Sequence, residues 1–231
     1  MGNMRLTRIA GAFTAVLWML FTVTLIIWLT AGNGGYLADE MLKNAPPEVS
    51  RLPEAEYPGV GNMTAAYLTG RTDRFQYEYS GADGNTVACF QEHEEAHMAD
   101  CRKLIRLDRT VMFISGGLLL ILAGTGILNR GGRREFCRGI LRGLLGVFAV
   151  ASILMFWAIG DFDGLFVTFH RVAFTNDGWL LNPATDMLIR LMPEQFFIRL
   201  GVRGLFWLAA STAVLAAGAG LGMRSREAGK R

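Results

Sequence analysis

The chain has 231 residues, 52% of them hydrophobic, and a formal net charge of +3. Four stretches without a charged residue, 9–31, 110–128, 143–160 and 204–223, account for that hydrophobicity. Each approaches the ~20 residues that carry a helix across ~30 Å of hydrocarbon, which excludes an ordinary soluble domain, and the positive charge lies beside these stretches rather than forming a nucleic-acid footprint.

In chain order, residues 1–8 form a short tail with Arg5 and Arg8. The opening "MGNMRLT" has Leu6 where a myristoylation signal needs Ser or Thr. The first span, 9–31, exceeds the ~7–15 apolar residues of a signal peptide and no A-x-A site follows, so it reads as a retained anchor. Residues 32–109 then form a cap. "ADEMLKNAPPEVSRLPEAEYPGV" holds four of the six prolines and predicts a short helix followed by extended chain. "TAAYLTG" predicts a helical turn ended by Gly70. Alternating Phe75, Tyr77 and Tyr79, the turn Gly81 to Asn85, and a return strand Thr86 to Phe90 predict a β-hairpin.

From Gln91 the sequence turns helical. At 100° per residue, His93, His97, Asp100, Cys101, Leu104 and Asp108 share one face; Arg102, Arg106 and Arg109 lie opposite, flanked by Lys103. The expectation is an amphipathic segment whose basic face reaches lipid phosphates while its histidine face points inward. Within it, His93-Glu94-Glu95-Ala96-His97 spells H-E-x-x-H, the zinc-hydrolase pattern of two histidine ligands and a glutamate base. His170 would be the third ligand, but no H-x-x-G-x-x-H continuation follows, and the pattern lies outside a span. Cys89 and Cys101 are separated mostly by helical rise, too far for the ~4.4–6.8 Å of a disulfide, and are expected unpaired.

The second span, 110–128, leads to the loop 129–142, with five basic residues, one acidic residue and Cys137. The third span is 143–160. Residues 161–203 form a second large loop, polar and aromatic, that holds His170; Asn182-Pro183 predicts a cap and first turn for a helix over Ala184 to Met192, stopped by Pro193. Its alternating pattern suggests packing at the membrane interface. The fourth span is 204–223, and 224–231 is a basic tail. The two tails and the short loop together carry eleven basic and two acidic residues, whereas 32–109 carries eight and thirteen. By the positive-inside rule both termini are cytoplasmic and both large loops extracytoplasmic. The fold class is thus an α-helical integral membrane protein, four transmembrane helices with a small extracytoplasmic cap containing a β-hairpin.

All three histidines fall in the two large loops. They admit three readings: interface residues, zinc ligands with Glu94 as base, or a metal-free acid–base pair of His97 and His170. Imidazole, with a reference pKa of ~6.5, exchanges protons at physiological pH. Asp100, on the same helical face, would orient His97. No G-x-S-x-G nucleophile motif is present.

Two motifs carry a family resemblance. One is Glu94, His97, Met98 and Asp100; the other is Phe169, His170, Phe174, Asn176, Trp179, Leu181, Pro183 and Asp186. With an "AAYLTG" element upstream and four spans, the chain resembles the lipoprotein intramolecular transacylases over essentially its whole length. Cys101 stands where an aliphatic residue is common, and Arg171 where a second histidine often follows. The resemblance implies an enzyme that moves the sn-2 acyl chain of a diacylglyceryl-modified lipoprotein to the α-amino group of its N-terminal cysteine, giving the lyso form. It implies His97 and His170 as catalytic residues, Asp100 and Glu94 as their support, and Asn176, Asp177, Trp179 and Asp186 at the substrate. It implies no cofactor and no metal, with diacylglyceryl-modified lipoprotein and membrane phospholipid as partners and no nucleic acid. His170 would be the base and His97 the acid, although the reverse fits the sequence equally. The rival from another class is a non-enzymatic lipid-binding or assembly protein of the membrane.

Overall fold

A computed structural model describes residues 2–81, 83–128 and 131–224. Met1, Ala82 of the hairpin turn, Asn129 and Arg130 of the middle loop, and residues 225–231 of the basic tail lie outside the described residues. The chain forms α1 (Gly2–Ala31), α2 (Gly34–Asn44), α3 (Pro47–Ser50), a 3-10 turn (Glu54–Glu56), α4 (Tyr57–Leu68), β1 (Glu78–Ser80), β2 (Thr86–Ala88), α5 (Glu92–Leu128), α6 (Arg133–Gly160), α7 (Phe162–Ala173), α8 (Met187–Leu191) and α9 (Glu194–Arg224). Among the described residues four helices, α1, α5, α6 and α9, are long and apolar enough to cross a membrane. The protein is an integral, mostly helical membrane protein with one small sheet.

Two compact units share the chain. The first comprises residues 1–25, 110–162 and 204–231. Its buried core is made by Ala15, Phe136, Cys137, Ile140, Leu144 and Ala219. α1 and α6 meet backbone to backbone: a Cβ on Gly11 would lie 2.0 Å from the Phe136 carbonyl oxygen, and one on Gly139 would lie 2.1 Å from that of Arg8. Without a hydrophobic drive between helices in lipid, such small-residue crossings supply the packing. Glu135 accepts from Arg8 and Arg138 at one end of this crossing.

The second unit, residues 26–109 and 163–203, carries the site. Its core gathers Met41, Leu52, Tyr57, Val60, Leu191 and Phe196 from α2 to α9. α4 ends as expected, with Gly70 in the left-handed region at φ +82° so that the chain can reverse. The hairpin pairs Glu78 with Ala88, Tyr79 with Val87 and Ser80 with Thr86. Its exposed tip is anchored at the base, where Phe75 and Phe90 are buried with ring centroids 4.6 Å apart and the Tyr77 hydroxyl donates to Glu56 at 2.6 Å.

As the helical pattern from Gln91 predicts, the amphipathic segment and the second span are one uninterrupted helix, α5, with no proline or turn between them. At 1.5 Å per residue α5 is roughly 55 Å long, so about half its length exceeds a ~30 Å hydrocarbon layer. Of the basic face only Arg102 is buried, and Lys103, Arg106 and Arg109 stay exposed. Arg102 is buried over the Tyr67 ring and pairs with Asp73 at 3.0 Å, Arg109 lies over Trp28, and Lys103 binds Asp100 at 2.7 Å. In the second loop, 162–173 is helical, and the short helix starts at Met187 rather than Ala184. Asn182 does not cap it. Its side chain accepts from the Ala184 N–H at 3.0 Å in a tight turn, and its own N–H donates to Asp186 at 2.8 Å.

Candidate active site

The site is built on the N-terminal portion of α5, before its apolar run begins at Thr110, and on α7. α5 starts where three acids in its first turn suit the positive end of the helix dipole. Glu94 is fully buried, and its carboxylate closes two helix starts at once. Oε2 accepts from the Gln91 N–H at 2.8 Å, the return half of a capping box, and Oε1 accepts from the Leu188 N–H at 2.6 Å in the first turn of α8. Gln91 adds a bond from its side-chain amide to the Thr185 carbonyl at 3.0 Å. Asp186 is buried beside them, accepting from Thr185 at 2.6 Å and from His93 at 3.0 Å. Burial alone would raise its carboxyl, but the bonds from Thr185, His93 and Asn182 together hold it down to about 2. The H-E-x-x-H spelling therefore divides among separate duties: His93 pairs with Asp186, Glu94 caps two helices, and only His97 turns toward His170.

His97 and His170 are both buried, with ring centroids 6.2 Å apart. Phe174 lies against both, 5.2 Å from His97 and 5.5 Å from His170. Phe166, Trp179 and Phe169 complete the wall around His170 at 4.1, 5.0 and 5.3 Å. The site is thus two imidazoles in an aromatic enclosure. It excludes competing water from the polar groups and so strengthens their electrostatic interactions.

The two rings differ in what holds them. His170 Nδ1 lies 2.7 Å from the Phe166 carbonyl oxygen. A carbonyl only accepts, so Nδ1 carries the proton in the neutral ring and Nε2 carries the lone pair. On His97, Nε2 is 3.5 Å from Cys101 Sγ, and Nδ1 is buried with no partner among the described residues. Burial, and then the nearness of His170, hold the His97 pKa down to about 4, against a smaller upward pull from Asp100. Burial also lowers His170, offset by its bond to Phe166. Both rings are consequently neutral near pH 7.

Asp100 does not bond His97. Its carboxylate takes Lys103 at 2.7 Å and the Asn176 amide at 2.9 Å, which keep it ionised and leave it acting on His97 through its field. Asn176 in turn accepts from the Gly178 N–H at 2.9 Å, so this chain of bonds fixes the turn that leads to Trp179. Asp177 is exposed beside it. Sequence reasoning missed the Phe166 carbonyl, and missed Lys103 as the partner of Asp100. The signal for the Phe166 carbonyl was the four-residue spacing to His170, which is visible only once 162–173 is known to be helical. Cys89 and Cys101 are free thiols.

The sequence model of a family described as lipoprotein intramolecular transacylase Lit matches residues 12–197. No curated protein matches the chain. A solved structure of the membrane integral lipoprotein intramolecular transacylase Lit from Bacillus cereus superposes with a TM-score of 0.73 at 18% identity, covering 98% of this chain and 99% of that one. Two forms of the same protein, one with a histidine-to-arginine and one with a histidine-to-alanine mutation, give 0.71 and 0.69 at 17% identity, each covering 96% of that chain and at least 98% of this one. At such identity the likeness is one of fold.

Proposed function

Because this chain belongs to the lipoprotein intramolecular transacylase family, we propose that it moves the sn-2 acyl chain of a diacylglyceryl-modified lipoprotein to the α-amino group of that lipoprotein's N-terminal cysteine. The observation that supports this reading most directly is the pair of buried, neutral imidazoles 6.2 Å apart in an aromatic enclosure. Acyl transfer between two groups of one molecule needs proton handling and positioning, and a site that folds the substrate over itself supplies much of the rate through proximity.

His170 is the base. Its Nδ1–H is held by the Phe166 carbonyl, so Nε2 accepts the proton that the amine loses on attacking the ester carbonyl carbon. An α-amino group has a reference pKa of ~7.7–8.0, so a proton must leave before nitrogen can attack. His97, neutral at a pKa of about 4, offers an uncharged N–H to the developing oxyanion. The tetrahedral intermediate collapses with loss of the glyceryl sn-2 oxygen, which takes the proton back from His170. One ester C–O bond breaks, one amide C–N bond forms, and the amine's proton ends on the glyceryl hydroxyl. In this reading Asn176, which donates to Asp100, and Trp179, whose ring lies 5.0 Å from that of His170, hold the glyceryl and peptide ends. Glu94 and Asp186 act at a distance, by setting the start of α5 and α8.

The test is to express variants in a host that makes diacylglyceryl lipoproteins and to quantify lyso-form N-terminal peptides by mass spectrometry, per amount of folded protein. His97→Ala and His170→Ala should each lose ~10²–10⁴-fold, the usual contribution of a general acid–base group. The double variant should be scarcely worse than the weaker single, because residues working as a unit are non-additive. Near-normal conversion by either alanine variant would overturn the two-histidine mechanism.

A further inference from the structure

Away from the site, α6 and α9 flank an open groove of about 670 Å³. Arg134 and Arg138 enter it one turn apart on α6; Ala217, Gly220, Leu221 and Arg224 enter it at helical spacing on α9. The seam between the two helices is closed on one face, where a Cβ on Gly222 would lie 2.8 Å from Cys137 Sγ and Ala219 is buried in the same core. On the neighbouring face it is open, since a Cβ on Gly220 would meet nothing within 4 Å. The groove therefore has an apolar floor, set by small residues, and three guanidinium groups at its rim.

The charges at this rim are poorly placed for the protein alone. Arg224 ends α9, where a cation suits the helix dipole, but Arg134 stands in the first turn of α6, where the dipole disfavours it. Arg134 and Arg138 are also like charges four residues apart, an unfavourable pairing on a helix. Glu135 answers Arg138, yet it is shared with Arg8. Neither Arg134 nor Arg224 has an ion pair among the described residues. An anion in the groove would relieve all three. Because α6 and α9 are long and apolar enough to cross a membrane and Leu221 is exposed, an anion with a hydrocarbon tail fits both rim and floor. Basic pockets between transmembrane helices take such headgroups.

We propose that this groove binds one anionic phospholipid, with its phosphate held by Arg134, Arg138 and Arg224 and an acyl chain lying along Ala217, Gly220 and Leu221. A zwitterionic lipid brings its own cation toward the arginines and binds less well. The proposal stands on the α6–α9 seam and does not depend on the acyl-transfer reading.

The full-length protein in neutral detergent is titrated with phosphatidylglycerol, with phosphatidylcholine of the same chains, or with inorganic phosphate. The thermal-unfolding midpoint is followed, and retained lipid is counted by native mass spectrometry. Phosphatidylglycerol should raise the midpoint saturably with one lipid retained, and the other two probes should not. Arg134→Gln combined with Arg224→Gln should weaken retention by more than tenfold, at about fivefold per lost charge. Gly220→Trp, which changes no charge, should displace the lipid, whereas Arg5→Gln on α1 should leave binding intact. Gly220→Leu serves if the tryptophan variant does not fold. Equal binding of both lipids, loss of binding in Arg5→Gln, or retention that survives both the arginine pair and the filled groove would overturn the proposal. So would a full effect from phosphate alone, which marks an anion site without a lipid.

Discussion

Burial sets the protonation of His97 before any substrate arrives. With its pKa held to about 4 against a reference of ~6.5, the folded protein keeps this ring neutral where the unfolded chain would protonate it. The unfolded state then binds more protons between those values. The stabilisation is complete above about pH 6.5 and is lost as pH falls toward 4. His170, also lowered by burial, adds to the same slope, whereas the exposed His93, raised by Asp186, opposes it. The thermal-unfolding midpoint of purified protein should therefore drop as pH is taken from 7 to 4, and His97→Gln should show a shallower drop. An unchanged slope in that variant would mean that other groups govern acid sensitivity. Conversion should rise with pH to about 8, because both the base and the attacking amine act unprotonated.

Helix starts and turns set the geometry around those rings. Glu94 closes α5 and α8 with one buried carboxylate, and hydrogen bonds to charged acceptors contribute ~1.5–3 kcal/mol each. Glu94→Ala should lower stability by about 2–4 kcal/mol in denaturant titration, more than His93→Ala, whose ring is half exposed. If conversion per folded molecule collapses while stability holds, Glu94 has a direct role at the substrate that capping does not explain. The turn after α7 depends on the Asp100–Asn176 bond in the same way. Asp100→Ala and Asn176→Ala should each reduce conversion, and the double variant should add little to either. Asp100→Asn should be mild, since an amide oxygen can still accept from Asn176. Additive losses across this cycle would show that the two residues act separately.

For the whole molecule, the distribution of charge predicts orientation. With eleven basic and two acidic residues in the tails and the short middle loop, those segments should face the cytoplasm and residues 32–109 and 161–203 the other side. Reporter fusions at Gly84 and at Arg133 should report opposite sides of the membrane. The same side for both would overturn the orientation and the shared outer face of the two histidine-bearing segments.

Four membrane-crossing helices were legible in the sequence, because an uncharged apolar run of about 20 residues has no stable place except in lipid or a large core. The hairpin was legible for a similar reason: alternating aromatics around a glycine-containing turn admit few other structures. The two histidines stood out through neighbours of fixed spacing, not through their contacts. What periodicity cannot give is the partner of a side chain, since it reports only which face a residue shares. His93 and His97 lie one turn apart and match a metal-binding pattern, yet one pairs with Asp186 and the other faces His170. Glu94 reaches the Leu188 N–H across a separation of 94 residues, which leaves no local signature in either segment. Residues 162–173 form an amphipathic helix, a local pattern that reading the segment as an alternating loop passed over, and with it the Phe166 carbonyl that sets the tautomer of His170. Only tertiary packing decided the partners of His93, Glu94 and His97: hydrogen-bond geometry and burial depend on groups that meet after the chain has folded.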